Sequence, residues 1–262
     1  MKFSIITVVL NDNNNIEKTI LSVKKQTYKN KEHIIIDGKS SDGTWEIIKK
    51  HSNTVRHFRK KDKSLYDAIN SGIKKSKGDI IFLIHSGDIF THKDILKKVN
   101  VIFNKNFDVV SGNIAFYDDN KKSITRNWII KTKTLNNQNF YKIPHTSLFI
   151  KKKFFQKLKN YSLKYKISSD LDFLIKLSKI KKKFFYLNRY IVFMKTGGLS
   201  TSRNNIYNKI KEDLMILFKY YGILFIYVYL KKVLIKVPSF FKTNKKFLNT
   251  ILKNQFNLIN EK

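Results

Sequence analysis

Three acids stand where side-chain chemistry could occur: Asp37, Asp88 and Asp170. Asp37 follows Ile34-Ile35-Ile36 and opens the turn Gly38-Lys39-Ser40-Ser41-Asp42-Gly43-Thr44, while Asp88 closes His85-Ser86-Gly87-Asp88 after the apolar run Ile80 to Ile84. Two strands that both lead into a carboxylate place both acids at the carboxyl edge of one parallel sheet, where open α/β sheets bind ligands. An aspartate directly after a buried strand is costly unless it is hydrogen-bonded or at the sheet edge, which favours a ligand role for Asp37. We read that edge as a nucleotide-sugar site. Asp42, just before Gly43-Thr44-Trp45, reads better as a turn or helix cap.

Asp88 has the chemistry of a metal ligand. Magnesium and manganese take oxygen ligands and rely on one or two carboxylates plus substrate phosphates, so one aspartate suffices. The competing reading is a cap for Thr91 to Asp94. Asp170 and Asp172 are the only acids between Asp119 and Glu212. On a helix, residues two apart point about 200° away from each other, so one of the pair can face a cleft and take a proton from a hydroxyl. A first-turn pair favoured by the helix dipole is the alternative. His145 follows Pro144 and either touches an acceptor or phosphate or is structural. His33 and His85 lack the spacing of a zinc site and receive no role.

The elements that must carry these residues follow from periodicity. Ser4 to Leu10 is a β-rich apolar run, broken by Asn11-Asp12-Asn13-Asn14-Asn15. Ile16, Ile20 and Val23 then share one helical face, and His33 to Asp37 is the next strand, completing a βαβ unit. A helix with Trp45, Ile47 and Ile48, a short strand near Val55 to Phe58, and a helix with Leu65, Ala68, Ile69, Gly72 and Ile73 come next. Ile80 to Ile84 has no polar residue, the pattern of a central strand covered on both faces. A helix over Asp94 to Phe103, a strand over Asp108 to Ile114, a turn at Tyr117 to Asn120, a helix over Asp170 to Ile180, and strand-like runs at Phe184 to Leu187 and Tyr190 to Met194 follow. No internal repeat is present.

The 262 residues carry a net charge of +34 and no cysteine, which excludes disulfides and thiolate metal sites and fits a reducing compartment. Residues 1–119 hold 21 basic and 14 acidic groups, whereas residues 120–262 hold 32 and 5, so the excess lies in the second half. That half favours an anionic partner, with anionic lipid at least as good a candidate as nucleic acid. Met1 to Leu10 reads as a strand and not a signal, which places the chain in the cytoplasm. The last sixty residues mix lysines with the apolar run Gly222 to Leu230, which is too short to cross a bilayer. They suit either a helix lying in the membrane interface or a helix pair docked on the core.

Four motifs in order carry a family resemblance: Ser4-Ile5-Ile6-Thr7-Val8-Val9-Leu10-Asn11, then Asp37 to Thr44, then Tyr66-Asp67-Ala68-Ile69-Asn70-Ser71-Gly72-Ile73, then His85-Ser86-Gly87-Asp88. Over residues 1 to about 200 the chain resembles the inverting glycosyltransferases of family 2, in the branch that decorates bacterial polysaccharide or lipopolysaccharide. The resemblance implies a GT-A fold, an α/β arrangement with a mostly parallel mixed sheet flanked by helices. Its domain would span 1–202, with a nucleotide-binding half at 1–115 and an acceptor half at 116–202, followed by a basic helical appendage at 203–262. It also implies nucleotide-sugar binding by Thr7, Val9, Asn11, Asp37, Asn70 and Ser86, with Asp37 near the base. Asp88 would hold Mg2+ or Mn2+, and Asp170, in Ser169-Asp170-Leu171-Asp172, would be the general base. His145, Gly198 and Ser200 would meet the acceptor or a phosphate. Two departures stand out: no acid precedes Ser86-Gly87-Asp88, and Ser169 replaces the usual glutamate.

The expected activity is therefore sugar transfer from a nucleoside diphosphate sugar to a lipid-linked or lipopolysaccharide-type saccharide, at the inner face of the cell membrane. A nucleic-acid-binding protein is the first rival, opposed by aromatics that lie in apolar runs such as Phe225 to Tyr229 rather than in a stacking platform. A nucleotidyltransferase is the second, opposed by a first turn, Asn11 to Asn15, without Gly or Lys.

Overall fold

The apolar runs become strands because only a sheet covered on both faces can bury them without interruption. The computed structural model describes residues 1–197, 203–235 and 245–260. Its strands are β1 (Phe3–Val9), β2 (Lys31–Asp37), β3 (Arg56–Arg59), β4 (Ile80–Leu83), β5 (Ile89–Phe90), β6 (Val109–Asp118), β7 (Ser123–Trp128), β8 (Phe149–Lys151) and β9 (Phe184–Lys195). They form a single mixed sheet in the order β3-β2-β1-β4-β8-β6-β9-β5, with β7 hydrogen-bonded to β6 outside that path. The first four in that order are parallel, β8 is antiparallel to both neighbours, and β6 and β9 are parallel again. Val9 pairs with Asp37, so the ends of β1 and β2 lie side by side at the carboxyl edge.

Helices α1 (Asn13–Lys24), α2 (Thr44–Lys50), α3 (Leu65–Lys75), α4 (Ile95–Asn104), α5 (Lys152–Lys157) and α6 (Ser169–Lys179) cover the faces. Strand alternation sorts the core. Ile6, Val8, Ile34, Ile36 and Ile81 meet α3 and α6, while Phe3, Ile5, Ile80 and Phe82 meet α4. Phe82 stacks on Phe149 at 4.0 Å, which ties the parallel half to the inserted strand β8. Gly72 lets α3 lie close to the sheet, since a Cβ there would stand 2.5 Å from Ile6 Cγ2. That matches the narrow, small-residue face expected of this helix.

Two boundaries differ from the sequence reading. The strand expected to end at Ile114 runs on to Asp118 as half of a hairpin with β7. The two runs at 184–187 and 190–194 are one strand whose register shifts opposite Gly112 to Ile114, so a polar Asn188-Arg189 interruption becomes a bulge.

Beyond 203 lie α7 (Arg203–Tyr221), α8 (Phe225–Leu234) and α9 (Lys245–Asn260). α7 and α8 fold back on each other around Gly222, joined by an ion pair between the buried Lys232 and Asp213 and by edge contact of Phe218 with Phe225. α9 docks on the sheet's far end, with Leu248 and Leu252 fully buried beside Ala115, Tyr117 and Ile124. Its Asn249 side chain accepts the Ile124 amide at 2.7 Å.

Candidate active site

The carboxyl edge begins as a lock between two loops. Asp37 is fully buried and accepts main-chain N–H bonds from Lys39 at 3.2 Å and Ser40 at 3.1 Å, together with the Ser40 hydroxyl. Arg59 Nε lies 3.3 Å from its second oxygen. Asn11, with a left-handed φ of 51°, gives its N–H to Ser40 Oγ and accepts the Ser41 N–H through its side chain. Asp42 accepts from Thr44 N and Oγ1 and from Asn13 N, the turn role of the two expected for it, with Gly43 at the N-cap of α2. The ends of β1 and β2 are thereby fixed to each other and to the start of α1.

The turn His85 to Asp88 is pinned from two sides. Thr19 of α1 donates to the Asp88 carbonyl at 2.9 Å and accepts the Gly87 N–H at 2.9 Å, while Tyr117 of β6 donates to the Gly87 carbonyl at 2.5 Å. Gly87 has φ +89°, and a Cβ on it would sit 3.0 Å from Lys195 Cδ, so this position requires glycine. Asp88 does not end β4. It comes five residues later, 3% exposed, with Oδ1 accepting the Lys195 N–H at 3.0 Å. Burial pushes its carboxyl up to about 7 against the Lys195 and His85 main-chain contacts that lower it. Its oxygen chemistry fits one divalent ion shared with phosphates. The buried Ser86 hydroxyl, two positions earlier in the turn, has no hydrogen-bond partner within the protein.

The third cluster forms around Asp170 at the start of α6. Its Oδ2 lies 2.9 Å from His145 Nδ1 and its Oδ1 3.0 Å from the Tyr66 hydroxyl. Burial alone would raise this carboxyl, but the His145 ring against it and the more distant Lys209 and Lys232 hold it well below the usual range. Asp170 is thus kept ionised. His85 faces the same cluster: burial, with His145 adding to it, drops its ring to about 4 and leaves it neutral. His85 of the Asp88 turn is thus within electrostatic range of the Asp170 cluster.

Asp172 points the other way, as two positions along a helix require. It is fully buried and accepts Tyr220 Oη at 2.8 Å, with Lys176 at 2.6 Å and Lys219 at 3.3 Å. Tyr220 and Lys219 bind α6 to α7, while Lys176 is one turn further along α6.

Several residues expected to meet a ligand also make contacts within the frame. The Thr7 hydroxyl is buried and bonded to His33 Nε2 at 2.9 Å, a diagonal contact on one face of the sheet, since Thr7 itself pairs with Ile35. Both amide atoms of Asn70 are taken by the Tyr161 main chain, at 2.8 and 3.0 Å. Tyr161 in turn stacks on Tyr66. Val9 is buried and gives its carbonyl to the Gly38 N–H. Gly198 and Ser200 lie outside the described residues. Sequence reasoning missed Tyr66 and His85: their types were visible within the motifs, but only the fold brings them to Asp170.

A single mixed sheet flanked by helices, with Asp37 at its carboxyl edge, is a GT-A arrangement. Residues 4–161 match the model described as Glycosyl transferase family 2, and the chain belongs to that family. An uncharacterized glycosyltransferase of Haemophilus influenzae is 28% identical over 241 residues, covering 86% of this chain and 94% of that protein. The poly(ribitol-phosphate) beta-N-acetylglucosaminyltransferase TarP of Staphylococcus aureus is 24% identical over 218 residues, covering 79% and 67%. An uncharacterized glycosyltransferase of Mycobacterium tuberculosis is 34% identical over 95 residues, and that match spans only 36% of either chain. Among solved structures, S. aureus TarS 1-349 in complex with UDP-GlcNAc has the same fold, with a TM-score of 0.69 at 17% identity over 98% of this chain and 72% of that one.

Proposed function

We propose that the protein is an inverting glycosyltransferase that moves a hexose or N-acetylhexosamine from a nucleoside diphosphate sugar to a hydroxyl of a lipid-linked or lipopolysaccharide-type saccharide. The observation that carries this reading is Asp170 at the start of α6, its two carboxylate oxygens held by the Tyr66 hydroxyl and His145 Nδ1. In the reaction the acceptor hydroxyl passes its proton to Asp170 as its oxygen bonds to the sugar C1. The bond from C1 to the diphosphate oxygen breaks on the opposite face, and its electron pair leaves with the nucleoside diphosphate.

His145 supports this role by fixing the orientation of the carboxylate from one oxygen while Tyr66 fixes the other. Ser86, with its unpaired hydroxyl, is suited to a phosphate or sugar oxygen of the donor, and Asn11 and Asp37 shape the floor under the base and ribose. Asp88 would hold Mg2+ or Mn2+ together with the donor phosphates, and when bound the ion neutralises charge on the departing diphosphate. The acceptor reading goes with a peripheral position on the cytoplasmic face of an anionic membrane, supported by the basic second half of the chain.

Thermal unfolding with a panel of nucleoside diphosphate sugars, with and without manganese, tests donor binding without an acceptor. One nucleotide sugar should raise the Tm, and manganese should enlarge that rise in the wild type but not in Asp88→Asn. A panel that leaves the Tm unmoved contradicts the donor reading. Equal manganese effects in the two proteins contradict the role of Asp88.

A further inference from the structure

Helix α8 has two apolar faces. Phe225, Val228 and Tyr229 turn onto the main core. Ile226, Tyr227, Leu230 and Leu234 follow helical spacing along the other side, and Ile223 precedes them in the short 3-10 turn Gly222–Leu224. Ile223 is 90% exposed and Leu230 52%. Only 22% of the most apolar window between Asn205 and Leu234 is buried. A contiguous uncovered stripe of this kind marks an interaction surface.

That stretch is long and apolar enough to cross a membrane by length and composition, but it is doubled back. In a straight helix Lys232 and Asp213 would lie about 28 Å apart, and here they form an ion pair. The ten residues of α8 reach about 15 Å, half the hydrocarbon thickness. Lying in the interface is the geometry open to it.

Charge selects the occupant. Both acids of the hairpin are engaged inward, Glu212 by the main chain of 166–168 and Asp213 by Lys232 and Lys209. Outward charges are lysines, including exposed Lys211 and Lys231, the latter 4.1 Å over the Tyr227 ring. A second copy carrying the same +34 would be repelled, whereas an anionic surface is attracted.

We propose that the α8 stripe seats the protein in the interface of an anionic bilayer, with its aliphatic side chains at the acyl boundary and the lysines among the headgroups. The inference rests on the reading of the chain as a membrane-associated transferase and names the surface responsible. Through Glu212 and Tyr220 the hairpin also holds α6, so the seat is tied to the helix that carries Asp170.

Flotation of the full chain with phosphatidylcholine vesicles, with and without phosphatidylglycerol, tests the proposal. The variants are Ile223→Ser/Ile226→Ser/Leu230→Ser and Lys211→Gln/Lys231→Gln, all at exposed positions and checked by thermal unfolding. Wild type should float with the anionic vesicles only. Partition should fall at least about a hundredfold in the serine variant and roughly tenfold in the glutamine variant. A wild type that stays unbound, or a serine variant that floats equally well, overturns the proposal. So does a wild-type dimer, seen by light scattering, that the serine substitutions disperse. Transfer to a soluble acceptor without flotation removes the seat alone, and flotation without transfer from any donor removes the transferase reading alone.

Discussion

Glu212 is the residue through which α7 controls the start of α6. One carboxylate accepts three main-chain N–H groups, from Lys166, Ile167 and Ser168, each at 2.9 Å. Ser168 and Ile167 are buried, and the Ile167 carbonyl also receives the Tyr66 hydroxyl at 2.7 Å. Glu212→Ala leaves the two buried amides without partners, while the exposed Lys166 amide returns to water. At about 1.5–3 kcal/mol for each charge-assisted bond, the loss is about 3–6 kcal/mol. With about 2–4 °C per kcal/mol for a chain near this size, the Tm should fall by roughly 6–24 °C. Such a loss approaches the whole stability of a marginal domain, so Glu212→Gln is the companion variant. It keeps one acceptor and should cost about 1–2 kcal/mol. Thermal unfolding and steady-state kinetics are the assays. In Glu212→Gln, kcat should fall several-fold with the donor KM unchanged, because the loosened segment carries Asp170 and not the donor edge. A Glu212→Ala protein with wild-type Tm and kcat would refute the reasoning.

Three other outcomes are expected. Asp172→Asn should destabilise the protein by about 1–3 kcal/mol, since it removes the carboxylate that Tyr220 and the partly exposed Lys176 and Lys219 share, yet retain substantial transfer where the protein remains folded; abolished turnover in folded protein would count against a structural role. Gly87→Ala should cost about 1–3 kcal/mol from its left-handed φ and the Lys195 contact, and should weaken donor binding in a calorimetric titration. His33 is held neutral by burial, which takes its ring down to about 3. The unfolded chain binds a proton below pH 6.5 and the folded chain does not, so stability is full above 6.5 and falls by about 1.4 kcal/mol per pH unit from there toward 3. Urea titrations across that range should show a shallower fall in His33→Gln.

The parallel half was legible because its strands are unbroken apolar runs and its helices keep one apolar face. Ile34 to Ile36 and Ile80 to Phe82 are all fully buried, as their composition demands. The middle of the chain was harder to read. β8 is three residues long and gains its place only by pairing with both β4 and β6, a tertiary arrangement without a local signal. The acids were legible as types, but not their partners: Tyr66 lies 104 positions from Asp170, and its motif offered no sign that it would meet that carboxylate. Thr7 and Asn70 were assigned to a ligand because the motif marks them. In the structure Thr7 bonds across the strands to His33 and Asn70 bonds the Tyr161 backbone, contacts that the motifs did not announce.

The chemistry converges on Asp170, and Asp170→Asn is the direct test. The amide keeps the volume and the Tyr66 contact but cannot take a proton. Single-turnover transfer to the acceptor should fall by a factor on the order of 10²–10⁴, while binding of the nucleotide sugar stays at the wild-type level. Full transfer by folded Asp170→Asn would contradict the assignment of Asp170 as the base.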